Sequence, residues 1–152
     1  MTVSRLLQRA AVGIAIALAG SAAVVFFLTG ARESSAQLAM GRKIYDARCA
    51  ACHGADLQGQ PEWQTPLASG RMPAPPHDSS GHTWHHSDRE LFTITKQGIQ
   101  AVVPGYSSDM PAFEGVLTDD EIRAVLAYIK SHWAKQERGY QAERSRVEEG
   151  RS

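Results

Sequence analysis

One pentapeptide constrains this chain more than any other feature. Cys-Ala-Ala-Cys-His, at positions 49–53 within RCAACHG, contains both of the chain's cysteines. A disulfide between residues only three apart would close a tiny loop, remove little chain entropy and stabilise weakly. A thioredoxin-like redox pair needs a βαβ context, and no such pattern surrounds these residues. A zinc centre would want a second ligand pair at suitable spacing. The histidine directly after Cys52 points elsewhere, because Cys-x-x-Cys-His is the attachment sequence of c-type haem. Two thiols bond the two vinyl groups of one porphyrin, and the adjacent histidine is held beneath the iron. Cys49 and Cys52 are the expected thioether carriers, and His53 is the expected proximal iron ligand. With one copy of the motif and no internal repeat, the expectation is a single covalent haem c.

The N-terminus says where such a group would be attached. Residues 10–28, AAVGIAIALAGSAAVVFFL, run for nineteen positions without a charge. As a helix at ~1.5 Å per residue they would span roughly 28 Å, close to the hydrocarbon thickness of a bilayer. Arg5 and Arg9 precede them and the next charge is Arg32, so the N-terminus stays cytoplasmic and the remainder faces outward. Residues 1–31 therefore read as a transmembrane anchor in the inner membrane with the haem domain on the periplasmic side. The alternative is a cleaved signal peptide, cut near Ala31 or Ala36, which leaves a soluble periplasmic protein. A signal-peptide core is usually ~7–15 residues, shorter than this one. Residues 32–36 form a short polar tether, 37–133 the folded domain and 134–152 a charged tail. That tail carries five basic and four acidic residues, and it reads either as an extension of the last helix or as a solvated end, with Gly139 a break. Charges balance at 16 Lys+Arg against 16 Asp+Glu, and no basic stripe suggests nucleic acid.

A single haem leaves a second axial position, and its occupant separates an electron carrier from a catalytic haem. Met-Pro-Ala occurs twice, at Met72 in a proline-rich loop and at Met110 in DMPAFEG. Met72 follows His53 by 19 residues and Met110 by 57, and only the longer span gives the chain room to travel round a porphyrin edge. Pro111 lacks an N–H and fixes its own φ, which stiffens the loop presenting the sulfur. Met110 is the expected second ligand to the metal. Just beyond it, LTDDEIRAVLAYIKSHW predicts a helix with Thr118 as N-cap, Glu121 completing a capping box, and Ile122, Val125, Leu126 and Ile129 forming its buried stripe. SDRELFTITKQG predicts another, capped by Ser87 with Glu90 and stopped at Gly98.

These residues resemble a class I cytochrome c, over roughly Gln37 to Trp133. The family's N-terminal helix carries a glycine eight residues before the first cysteine and an aromatic four before it, matched here by Gly41 and Tyr45. The matching positions on the last helix are Val125 and Tyr128. The resemblance implies an all-α fold with crossing N- and C-terminal helices, His/Met ligation, and single-electron transfer rather than enzymatic turnover. Redox protein partners follow from it: a terminal oxidase, other cytochromes or cupredoxins. It also implies a proline whose carbonyl orients the proximal histidine, for which Pro61, Pro66, Pro73, Pro75 and Pro76 compete and Pro66 is expected. An aromatic N–H that meets a haem propionate is implied as well, and Trp84 is expected to supply it.

PPHDSSGHTWHHSD places His77, His82, His85 and His86 within ten residues. Three readings compete for them: a copper or zinc site, an edge of the haem pocket around Trp84, or exposed histidines that merely titrate near neutral pH. The first would make the chain a copper-handling protein. A further alternative is a peroxidase-like haem enzyme in which Met110 is labile and the loop supplies acid–base groups.

Overall fold

The computed structural model describes residues 34–151, and Gln37–Ser152 is one compact unit. The anchor or signal peptide expected at 1–31 lies outside the described residues. No described helix is long and apolar enough to cross a membrane. The fold is all-α, with no strand among the described residues. Helix α1 covers 34–48, α2 is the short Ala50–His53, α3 is Asp88–Gln97, α4 is Asp119–Ser131 and α5 is Lys135–Glu149.

Helices α3 and α4 begin where their caps predict. Ser87 and Thr118 each accept a hydrogen bond from the backbone N–H three residues on, and Glu90 and Glu121 reach back to complete capping boxes. Each cap satisfies donors that helix geometry leaves orphaned, worth about 1 kcal/mol. Helix α3 stops at Gly98, as its sequence indicates.

The crossing of α1 and α4 is set by one missing side chain. A Cβ on Gly41 would collide with the Ala124 carbonyl and stand 2.8 Å from Tyr128 Cβ. Only a glycine lets the two backbones come this close. The α4 residues that meet Gly41 are Ala124 and the expected Tyr128. Val125 turns instead into the core with Tyr45, Leu57, Leu91, Ile129 and Trp133. Tyr45 is fully buried, and its ring lies 5.5 Å from that of Tyr128. Removing an apolar side chain of this size from water contributes about 1.5–3 kcal/mol.

The C-terminal tail departs from expectation. Residues Lys135–Glu149 form a separate helix, neither an extension of α4 nor a solvated end, and Gly139 sits inside it. The chain turns at Trp133, and α5 packs back on the Thr83–His85 turn and on α3. It docks through a polar seam, which explains why hydrophobic patterning missed it. Gln141 and Ser145 are buried. Gln141 Nε2 donates to Asp88 Oδ1 at 2.8 Å, and Asp88 N–H donates to Ser145 Oγ at 2.9 Å. Glu148 accepts from the Ser87 hydroxyl and from Arg89 Nε at 2.7 Å. Arg144 Nε donates to the His85 carbonyl at 3.2 Å.

Candidate haem site

Helix α1 delivers the attachment motif at its C-terminal end, where Cys49 interrupts the helix and α2 carries Cys52 and His53. The two thiols are not joined to each other. Cys49 is partly buried, and burial, with the neighbouring Cys52 charge, pushes its thiol up to about 11. Below that the sulfur is a neutral thiol, so the geometry does not create a reactive thiolate of the redox-enzyme kind. Tyr45, one helical turn before Cys49, donates from its hydroxyl to the Gly54 carbonyl at 2.9 Å. That bond ties the core of α1 to the residue following His53.

His53 is buried and its Nδ1 lies 2.8 Å from the Pro75 carbonyl. A carbonyl only accepts, so Nδ1 carries the proton and Nε2 keeps its lone pair, the state in which imidazole binds a metal. Burial lowers the pKa of His53 from its ordinary value, and the bond to Pro75 partly offsets that.

The carbonyl belongs to Pro75 rather than to Pro66, a correction with a structural cause. Residues 57–60 and 74–77 run alongside each other: His77 N–H donates to Leu57 O at 2.7 Å, Gln60 N–H to Ala74 O at 2.9 Å, and Ala74 N–H to Gln60 Oε1 at 2.8 Å. Gly59, at φ +69, permits the approach, because a Cβ there would meet Pro75 and Pro76 at 2.5–2.8 Å. Pro66 lies exposed in a separate turn closed by Leu67 N–H to Arg71 O. Five prolines were equivalent by spacing, and the pairing of the two segments selects one.

Met110 sits partly buried in a loop held on both sides. Its N–H donates to Ser108 Oγ at 3.0 Å. The preceding Asp109 pairs with Arg71, next to Met72. On the other side Phe113 is buried, its N–H donating to Thr95 O at 3.1 Å, and Glu114 N–H reaches Lys96 O at 2.8 Å. Trp84 packs against the core with its ring 3.7 Å from His85 and 5.4 Å from Tyr140. Its Nε1 is buried without a hydrogen-bond partner, the kind of orphaned donor that an absent acceptor explains. A chain carrying two unpaired thiols, an imidazole with a free Nε2, a tethered thioether and an orphaned indole N–H fits a covalent haem c.

The four histidines of the loop take different ring partners. His77 stacks on His53 with centroids 3.9 Å apart. His82 stacks on Trp63 at 5.4 Å, with His86 edge-on to it at 5.5 Å. His85 lies against Trp84, and His86 Nδ1 is 3.7 Å from Glu90. No group of three His, Cys, Asp or Glu side chains converges as a metal site among the described residues. His82 and His86 stay neighbours, while His77 turns to His53 and His85 to Trp84, so the four rings do not close on a common centre. Pro75 was one of five competing prolines and His77 one of four clustered histidines, but their joint contact with His53 was not read from the sequence, nor were the α5 residues facing Trp84. The only available signal was the Pro-Pro-His order itself.

The family model for cytochrome c matches residues 38–133. The chain belongs to the cytochrome c family. As a cytochrome c it carries a covalent c-type haem and is an electron-transfer protein rather than an enzyme. Cytochrome c6 of Tetradesmus obliquus is 34% identical over 98 residues, covering 62% of this chain and 90% of that protein. The cbb3-type cytochrome c oxidase subunit FixP of Bradyrhizobium sp. (strain ORS 278) is 29% identical over 93 residues, 61% of this chain but 27% of FixP. The cytochrome bc1 complex cytochrome c subunit of Mycobacterium tuberculosis (strain ATCC 25618 / H37Rv) is 36% identical over 78 residues, 40% of this chain and 28% of that subunit. No solved structure matches significantly. Helix α5 lies beyond the part of this cytochrome that the family describes.

Proposed function

We propose that this cytochrome c is a single-electron carrier in which Cys49 and Cys52 bear the thioether links and His53 and Met110 are the axial ligands. Trp84 Nε1 donates to a haem propionate in this reading. The haem supplies a one-electron ferrous/ferric couple, and methionine ligation raises its potential relative to nitrogen donors. The chain's own residues bind and orient: Pro75 fixes the His53 tautomer, while Phe113 and the Arg71–Asp109 pair hold the Met110 loop. The observation that carries the reading is the 2.8 Å contact from His53 Nδ1 to Pro75 O, which leaves Nε2 free as a ligand. The partners are respiratory: a terminal oxidase, another cytochrome or a cupredoxin on the periplasmic side. Residues 1–31 are the anchor that keeps the domain at the inner membrane, where confinement raises effective concentration.

The test is the near-infrared spectrum of the ferric protein. A methionine–iron charge-transfer band is expected in the native chain and in Met72→Ala, and its loss in Met110→Ala. Survival of the band in Met110→Ala, or its loss in Met72→Ala, would overturn the assignment.

A further inference from the structure

The Pro75-Pro76-His77 tripeptide touches His53 twice, at the edge and on the face. Pro75 O accepts from Nδ1, and two residues later the His77 ring lies over the His53 ring with centroids 3.9 Å apart and planes within 20°. A hydrogen bond to one ring atom limits in-plane displacement but leaves the ring able to pivot about the bonded atom. A flat partner against the face removes that freedom, because tilting either ring breaks the contact.

His77 is itself immobilised on every side. Its N–H donates to Leu57 O at 2.7 Å, and its carbonyl accepts from Trp133 Nε1 at 2.8 Å. Trp133 is buried where the chain turns out of α4. His77 Nδ1 is 2.8 Å from Thr83 Oγ1, and the Thr83 hydroxyl donates to Pro76 O at 3.3 Å. One hydroxyl has one hydrogen, so with it directed at Pro76 the His77 Nδ1–H is the donor to Thr83. His77 thus holds one tautomer and one orientation. Burial, with His53 and His82 nearby, keeps it neutral by lowering its pKa well below the ordinary value.

We infer that His77 is a positioning residue that fixes the ring plane of the proximal ligand His53 by stacking on its face, with Thr83 as the clamp that holds His77 in place. The inference rests on the proposal that His53 ligates the iron. An aliphatic residue would fill the same space but would not define a plane. The orientation of an axial imidazole plane sets how unpaired spin is distributed over the porphyrin, so the role has a spectroscopic consequence that mere packing lacks.

The experiment uses the full-length haem-loaded chain in its ferric cyanide adduct, where the axial methionine is displaced and the pattern of shifted haem methyl proton resonances reports the histidine plane alone. His77→Ala is expected to change the order or spread of the four methyl resonances, and His77→Phe, flat but without nitrogens, to restore the native pattern. Thr83→Val, which releases the clamp, is expected to shift the pattern in the same direction as His77→Ala and by less. An unchanged pattern in His77→Ala, or failure of His77→Phe to restore it, overturns the inference. If His77→Ala does not mature, Thr83→Val decides alone, and an unchanged pattern there overturns it. Absence of shifted histidine ring signals in the native adduct would instead refute ligation by His53, a distinguishable result.

Discussion

Arg71 and Asp109 form an ion pair that joins the two Met-Pro-Ala loops of the chain, each residue standing immediately before one of the two methionines. The pair is about half exposed on both sides. Exposed pairs of this kind contribute less than about 1 kcal/mol to global stability. Its consequence is local. Asp109→Ala is expected to leave the thermal midpoint within a few degrees of native while accelerating cyanide binding to the ferric protein severalfold, because under the proposed His53/Met110 ligation Met110 leaves before cyanide enters. Equal cyanide rates in variant and native protein would show that the pair does not restrain the Met110 loop.

Gly41 carries a steric demand that no other residue type meets. Gly41→Ala forces α1 and α4 apart at the Ala124 carbonyl. Overpacking of a rigid contact costs typically 1–3 kcal/mol or more, and here the obstructing atoms are backbone and cannot rotate away. An unfolding free energy from urea titration lowered by that amount is expected, whereas an unaltered value would mean that the crossing adapts.

Trp84 Nε1 distinguishes between two environments. If a propionate accepts from it, Trp84→Phe removes a charge-assisted bond and destabilises the haem-loaded protein by about 1.5–3 kcal/mol. If the N–H has no partner in the loaded protein either, the same substitution relieves an unpaired buried donor and is neutral or stabilising. The sign of the change in denaturant stability decides between them.

Docking of α5 depends on Glu148. The Ser87 hydroxyl and Arg89 hold its carboxyl below the ordinary glutamate range. A carboxyl with a depressed folded-state pKa contributes stability that is fully present above its unfolded pKa and is lost as pH falls through the folded value. Packing of Tyr140 on Trp84, followed by the Tyr140 ring proton shifts, is expected to hold steady from neutral pH down to the ordinary glutamate range and to loosen below it. Glu148→Gln is expected to flatten that acid response. An identical acid response in the variant would assign it to another group.

Much of the site was legible because local chemistry writes it locally. Cys49, Cys52 and His53 are adjacent in the chain, and the capping boxes at Ser87 and Thr118 lie within four residues of what they satisfy, so periodicity and spacing sufficed. The register of Gly41 and Tyr45 against Cys49 was legible through the family resemblance. The choice of Pro75 over Pro66 was not, since it depends on 57–60 pairing with 74–77. Nor were the ring partners of the loop histidines, His53 for His77, Trp63 for His82 and Trp84 for His85.

Helix α5 marks the boundary most clearly. Its burial rests on Gln141, Ser145 and Glu148 finding Asp88, Ser87 and Arg89 some 53–61 residues away. By itself the sequence determined the Cys-x-x-Cys-His motif, the all-α class and the capped starts of α3 and α4. Each of these follows from covalent order or from the stereochemistry of a single turn. Only the tertiary structure decided which carbonyl meets His53, which ring covers its face and where the charged tail rests. Polar partners far apart in sequence leave no periodic trace, and their energies appear only once both strands of chain are in place.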